Sequence, residues 1–345
     1  MDRRRFLLTS LAGVLAAPLA PEAQQAGGSP KRLGILSIGV PTTPEEFAKS
    51  PFGTRLRELG WVEGNNLLVE RRYGKGPVEE LVGMVRDLIQ LRVDLIFASS
   101  AVTAAAAKRA TATVPIVFVT LGDPVDQGLV AGFAQPGGNV TGVAGAQTAG
   151  KRVEMLAELV PNLSRVAALV NSTNPATPGI VRDMEHAGAA RQLQIKIFAV
   201  KTAGDLDGAW AAIAAARPNG VVVADDVLLF RIRADIRDRA ARMKLPVVYG
   251  HREDALEGGL AAFSTVLAEQ FSRAAGYVDR ILRGADPGRL PVERAERFET
   301  IINLRTAKAL GLTIRRRCWR GRIRSSSPSQ GRSHRNAWRT RDVCG

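Results

Sequence analysis

From Lys31 onward, short apolar runs rich in Val, Ile and Leu alternate with longer stretches in which apolar residues recur every three or four positions. That alternation is the mark of βαβ units, in which a parallel strand is followed by a helix that carries the chain back across the sheet. The apolar runs predict strands at 32–38, 67–72, 93–98, 114–119 and 139–143, and the stretches between them predict helices at 44–60, 77–91 and 101–111. A second series follows Gly150, with helices at 151–160, 176–192, 204–216 and 229–244 and strands at 165–170, 194–200, 219–224 and 246–249. Near the end, Leu267, Phe271, Ala274, Tyr277, Val278 and Ile281 stand at helical spacing and predict a helix over 266–283. Arg297–Asn303 then reads as a strand. Each series makes one α/β lobe. The late elements are expected to return to these lobes, so the chain crosses between them more than once.

Composition fits a folded two-lobe body: 345 residues, 46% hydrophobic and 23% charged. The formal charge of +15 would ordinarily suggest nucleic acid, but its location argues otherwise. Residues 315–345 hold ten Arg against one Asp, net +9, and residues 1–26 carry net +1, which leaves about +5 for the body. Aromatic content of 5% is also thin for stacking on bases. No nucleic-acid partner is expected. Both cysteines, Cys318 and Cys344, lie in the basic tail, so the body has no disulfide and no cysteine metal site.

The ends read differently from the body. Arg3-Arg4-Arg5, an apolar stretch to about Ala17 and a small-residue exit near Ala23 form a signal peptide over 1–26, too short to span a bilayer. Arg3-Arg4 with Phe6-Leu7 resembles a twin-arginine signal. The expected location is therefore periplasmic. Residues 315–345 have no apolar period and are expected to be a disordered basic tail. A one-base shift of codons for Pro-Pro-Ser-Leu-Leu-Ala-Arg-Ala gives the string at 315–322, Arg-Arg-Arg-Cys-Trp-Arg-Gly-Arg, so the tail reads as a frameshifted end.

Ligands of open parallel sheets bind outside the carboxyl ends of the strands, where helix starts present free N–H groups. Ser99 and Ser100 follow one predicted strand, with Thr103 a turn later; they suit either a carboxylate or ordinary helix capping. Thr120 and Asp123-Pro124 follow the next strand, and Asp123 suits a turn or a ligand contact. In the second lobe, Asn171 and Asn174 lie in a polar loop, and Asp225-Asp226 could cap a helix or pair with an ammonium. Tyr249 could pack on a ligand, whereas His251, with no companion His or Cys, reads as a surface histidine. Gly145 to Arg152 copies most of a P-loop, but Arg152 stands where Ser or Thr should hold magnesium. Neither a Gly-x-Ser-x-Gly elbow nor a His-Glu-x-x-His pair is present.

The runs from Phe52 to Asn66, Asp123 to Val130 and Gln135 to Gly142 resemble the substrate-binding proteins of ABC transporters, in the branch that includes tryptophan-type amino-acid uptake proteins. Gly150-Lys151-Arg152, Leu245 to Gly250, Glu257-Gly258-Gly259, Leu290 to Glu293 and Ile302 to Leu312 extend the likeness over about residues 31–314. The resemblance implies a class I periplasmic-binding-protein fold: two Rossmann-like lobes with parallel sheets, three hinge crossings and a hinged interlobe cleft. The first lobe is expected at 27–143 plus about 261–288, the second at 144–260 plus about 289–314. Ser99, Ser100 and Thr103 would hold a ligand carboxylate, and Asp226 or Asp225 would pair with an amino group. Thr120, Asp123, Asn171, Asn174 and Tyr249 would line the rest. Asp126-Gln127 departs from the small residues expected there. The implied work is capture of a small solute, an amino acid or related carboxylate, by a monomer that delivers it to an ABC permease, without cofactor, metal or catalysis. A ligand sensor of the same fold and an α/β enzyme are the alternatives; a repressor would need a DNA-binding headpiece where residues 1–30 carry a signal.

Overall fold

The strongest apolar runs become the strands of two six-stranded sheets. The computed structural model describes residues 29–39, 41–75, 78–294 and 297–314; the segments expected to be a signal peptide and a disordered basic tail lie outside them. The first sheet holds β1 (Lys31–Ile38), β2 (Leu67–Gly74), β3 (Leu95–Ala98), β4 (Ile116–Leu121), β5 (Val140–Gly145) and β11 (Glu293–Arg294), in the order β11-β5-β4-β3-β1-β2. The second holds β6 (Arg165–Asn171), β7 (Gln194–Val200), β8 (Gly220–Val223), β9 (Val247–Tyr249), β10 (Ala261–Thr265) and β12 (Phe298–Ile302), in the order β12-β10-β9-β8-β6-β7. Every pairing is parallel except β10 with β12. In β3 and β8 all four residues are buried, the pattern of a strand covered on both faces.

The helices are α1 (Pro44–Lys49), α2 (Pro51–Glu58), α3 (Val78–Gln90), α4 (Ala101–Ala110), α5 (Ala149–Leu159), α6 (Thr177–Ala190), α7 (Leu206–Ala216), α8 (Val227–Arg231), α9 (Arg233–Arg242), α10 (Arg252–Leu256), α11 (Leu267–Leu282) and α12 (Leu304–Ala309). The first sheet has one apolar cluster on each face; a single larger cluster surrounds the second. Strand β5 can approach β4 because position 142 is glycine: a Cβ there would sit 2.1 Å from the Phe118 carbonyl oxygen.

Two long helices of the sequence reading are each split. Over 44–60, Pro51 biases Ser50 toward extended backbone (ψ 156°), and the Ser50 hydroxyl then caps α2 by accepting from the Gly53 N–H. Over 229–244, the break falls at Ile232, and α8 starts two residues earlier than expected because Asp226 caps it.

The chain passes between the sheets three times: after β5, between β10 and α11, and between β11 and β12. Helix α11 packs on the first lobe, where Phe271 meets Phe97 edge-on and the Trp61 indole donates to Asp279. The expected lobe boundaries shift accordingly. Residues 261–265 pair in the second sheet, not the first, and residues 290–294 belong to the first lobe: the Leu290 carbonyl accepts from the buried Thr141 hydroxyl, and β11 pairs with β5.

Candidate functional site

Parallel strands within each sheet end on a common side, and contacts between the lobes show that these ends face each other. Asp126, in the loop after β4, meets Arg182 of α6 at 2.5 Å, and Arg231 of α8 donates to the Lys75 carbonyl just after β2. The ten residues singled out from the sequence all lie at or just past strand ends, but only some are free to meet a ligand.

In the first lobe, Ser100 caps α4, and Thr103 closes a reciprocal box: its hydroxyl donates to the Ser100 carbonyl and accepts from the Ser100 N–H. Thr103 is 0% exposed, and its hydroxyl serves the helix start. Ser99 and Ser100 remain half-buried beside that start, which carries the positive end of the helix dipole. Thr120 is buried, and its hydroxyl donates to Gln127 Oε1 at 2.7 Å, while Gln127 Nε2 donates to the Leu121 carbonyl. Asp123 accepts from the Val125 N–H, the turn that its place before Pro124 suggested.

In the second lobe, Asp226 is saturated. Its Oδ1 accepts from the N–H groups of Leu228 and Leu229, and its carboxylate also accepts from the side-chain amides of Asn171 and Asn174. Asn171 Oδ1 accepts in turn from Thr173, and Asn174 Oδ1 from the Ala176 N–H. These three residues therefore form one network joining the ends of β6 and β8 to the start of α8.

Asp225 differs. It is 5% exposed, and its Oδ1 lies 3.0 Å from His251 Nε2 but off the line a hydrogen bond needs, so no donor points at it. Of the two adjacent carboxylates, only Asp225 keeps an open acceptor. Tyr249 departs from expectation: it is 2% exposed in the core of the second lobe, and Gly259 packs so close that a Cβ there would meet the ring at 2.6 Å. Alternation along β9 turns its side chain into the core; burial, with Asp254 nearby, raises its phenol above the usual value.

Residues to which the sequence reading gave no ligand role complete the picture. Arg152, the misfit of the near P-loop, is 1% exposed; its Nη1 donates to the Thr148 hydroxyl and the Phe263 carbonyl, and its Nε has no acceptor. Burial pushes its guanidinium below the ordinary value, opposed by the charges of Asp225 and Asp183. The glycine of the same motif serves packing, since a Cβ on Gly150 would meet Asp183 of α6 at 2.9 Å. His251 is no surface residue: its side chain is 12% exposed and lies against Phe230 with ring centroids 4.6 Å apart. At one side of the cleft, Gly122, Asp123, Gln127, Gln147, Gly179 and Arg182 line a cavity of about 40 Å³, room for a few water molecules. Among the described residues, no group of three His, Cys, Asp or Glu could hold a metal ion, and no helix is long and apolar enough to cross a membrane.

Comparison with known proteins agrees with this architecture. A tyrosine-binding protein of Clostridioides difficile is 23% identical over 322 residues, 90% of this chain and 93% of that protein. A domain from Streptococcus pneumonia solved in complex with L-Trp superposes with a TM-score of 0.77 at 22% identity, covering 84% of this chain and 97% of that one. A conserved domain protein from Vibrio cholerae also gives a TM-score of 0.77, at 25% identity over 83% of this chain and 96% of its own. The family described as ABC transporter substrate binding protein matches residues 48–319, most of the length, and the chain belongs to that family.

Proposed function

We propose that this chain is the extracytoplasmic solute-binding subunit of an ABC importer and that it captures an amino acid between its lobes. The observation that carries the reading is the unlike chemistry of the two facing edges. The first lobe offers Ser99, Ser100 and the start of α4, a setting for a carboxylate. The second offers the buried, open carboxylate of Asp225, a setting for an ammonium. The amino acids named for two relatives, tyrosine and L-Trp, carry both groups.

A solute held by both edges contacts them together only when the cleft is closed, so it stabilises the closed form by the difference in its affinity for the two states. Three crossings between rigid sheets suit such a hinge. The closed form is then the one that the permease recognises, and the solute leaves unaltered. Residues 1–26 carry the export signal that places the protein in the periplasm.

A thermal-shift screen against the protein amino acids and their des-amino analogues tests the reading, because a ligand that binds only the native state raises its melting temperature. L-Tyrosine or L-tryptophan should raise it and the des-amino acids should do so less. A ligand without an amino group that shifts it equally would remove the role given to Asp225.

A further inference from the structure

His251 follows β9 at the cleft edge of the second lobe, and the charges around it come from every element packed there. Asp225, at the end of β8, brings Oδ1 to 3.0 Å from His251 Nε2, and the backbone carbonyl of Asp226 lies 3.4 Å from the same nitrogen. Phe230 of α8 covers the imidazole, and the Arg233 guanidinium of α9 lies 4.3 Å from the centre of that phenyl ring. From α10, Asp254 acts on His251 through its charge while ion-paired to Arg237 of α9, which also meets Glu257. Arg252, next in sequence, is drawn to Glu299 of β12 and to Glu253. Behind Asp225, the buried Arg152 of α5 answers two carboxylates, Asp225 and Asp183.

On this floor one guanidinium, Arg152, stands against the carboxylates of Asp183, Asp225 and Asp226, with His251 beside Asp225. Asp183 accepts from the Gly150 N–H and Asp226 from neutral donors, so none of these bonds brings a positive charge. The deficit of positive charge is therefore real, and the open acceptor that faces it is Asp225 Oδ1. Two cations can fill the same place: an ammonium brought by the ligand, or a proton on His251.

We propose that His251 is a specificity-determining residue of the amino-group subsite: neutral, it leaves Asp225 to the ligand's ammonium, and as an imidazolium it takes that place itself, so that capture requires His251 without its second proton. The proposal rests on the capture reading above and deepens it. It assigns to this cleft ligands that bring a positive charge, and it makes their affinity fall with acid.

The test is calorimetric titration of the full chain with L-tyrosine and L-tryptophan, and with indole-3-propionate as the probe lacking an ammonium, from about pH 8 to about pH 5. For an amino acid, displacement of one proton makes affinity fall toward tenfold per pH unit on the acid side, by linkage. Titrations at acid pH in buffers of different ionisation enthalpy should register release of that proton in the wild type, a readout that needs no variant. His251→Gln should bind with little pH dependence, Asp254→Asn should keep the wild-type slope, and indole-3-propionate should show no acid loss. An unchanged slope in His251→Gln, or binding of an amino acid by the wild type without proton release, would overturn the proposal and leave the capture reading intact. Binding of neither amino acid at any pH would overturn both.

Discussion

Arg152 Nη1 lies 3.2 Å from the carbonyl oxygen of Phe263 and donates to it, which ties the helix entered by the first crossing to the strand that leaves for the second. The same nitrogen donates to Thr148, inside the first crossing. On the other side of the hinge, Gln270 of α11 is fully buried and donates to Thr265, where β10 ends. Each flanking helix thus grips a crossing with a buried polar side chain. Each grip also leaves one atom unmet, Arg152 Nε and Gln270 Oε1. Atoms of this kind are uncommon in native interiors and cost free energy, which makes the hinge sensitive to their replacement.

Arg152→Met should be the most damaging substitution at the hinge. It keeps much of the volume but removes two hydrogen bonds and the charge that answers Asp225 and Asp183. Loss of one side of a buried charge arrangement costs about 3 kcal/mol or more. Urea denaturation should register that loss, and a change below about 1 kcal/mol would show that the guanidinium is not compensating those carboxylates.

The two adjacent aspartates should separate in their effects. Asp226→Ala removes the cap of α8 and strands the amides of Asn171 and Asn174, so it should cost about 2–4 kcal/mol of stability. Asp225→Asn removes a charge that no donor hydrogen-bonds but that answers the buried Arg152, so it should cost less stability than Asp226→Ala while affinity for an amino acid falls at least about tenfold. Denaturation and calorimetry on both variants check this, and a stability loss for Asp225→Asn as large as that for Asp226→Ala would contradict it.

Legibility in the sequence followed the strength of the burial signal. Strand β3 could be read because Leu95, Ile96, Phe97 and Ala98 are apolar and buried on both faces. Strand β10 could not: Ala261-Ala262-Phe263-Ser264-Thr265 starts on small residues and ends on polar ones, and only its pairing with β9 and β12 makes it a strand. Strand β11 is two residues long and has no pattern to detect. At the site, position after a strand brought out Asp225 and Asp226 but could not say which was already spent, because the amides of Asn171 and Asn174 arrive from over 50 residues away. It also misplaced Tyr249, whose direction depends on the pleat, and hid Arg152, since a cation near a helix start reads as exposed. His251 looked solitary because its partner is 26 residues earlier and comes near only through the sheet.

The Asp126–Arg182 pair joins the lobes at the surface, with both side chains more than half exposed. Water and salt screen such a pair, so a double-mutant cycle should give a coupling no greater than about 1 kcal/mol in stability. Its effect should appear in shape instead. Asp126→Ala should widen the lobe separation of the ligand-free protein in small-angle scattering and weaken ligand binding only a few-fold, and raised salt should do the same to the wild type. A scattering profile indifferent to both would show that the pair does not hold the lobes.

Asp254 sets a pH dependence of stability with a definite sign. Burial raises its carboxyl from 3.8 to about 6, against the opposing charges of His251 and Arg237. The folded protein therefore holds this proton more tightly than the unfolded chain does, and folding takes up a proton between those two values. The contribution to stability is fully present below the unfolded value and is lost as pH rises through about 6, where the carboxylate must ionise inside the lobe. Asp254→Asn keeps an acceptor for Arg237 without that ionisation. Its stability relative to the wild type should rise between pH 4 and about 6 and then level off, as followed by urea denaturation across pH. A difference that falls over the same range would mean that the ion pair with Arg237 outweighs burial, and would reverse the direction assigned to this carboxyl.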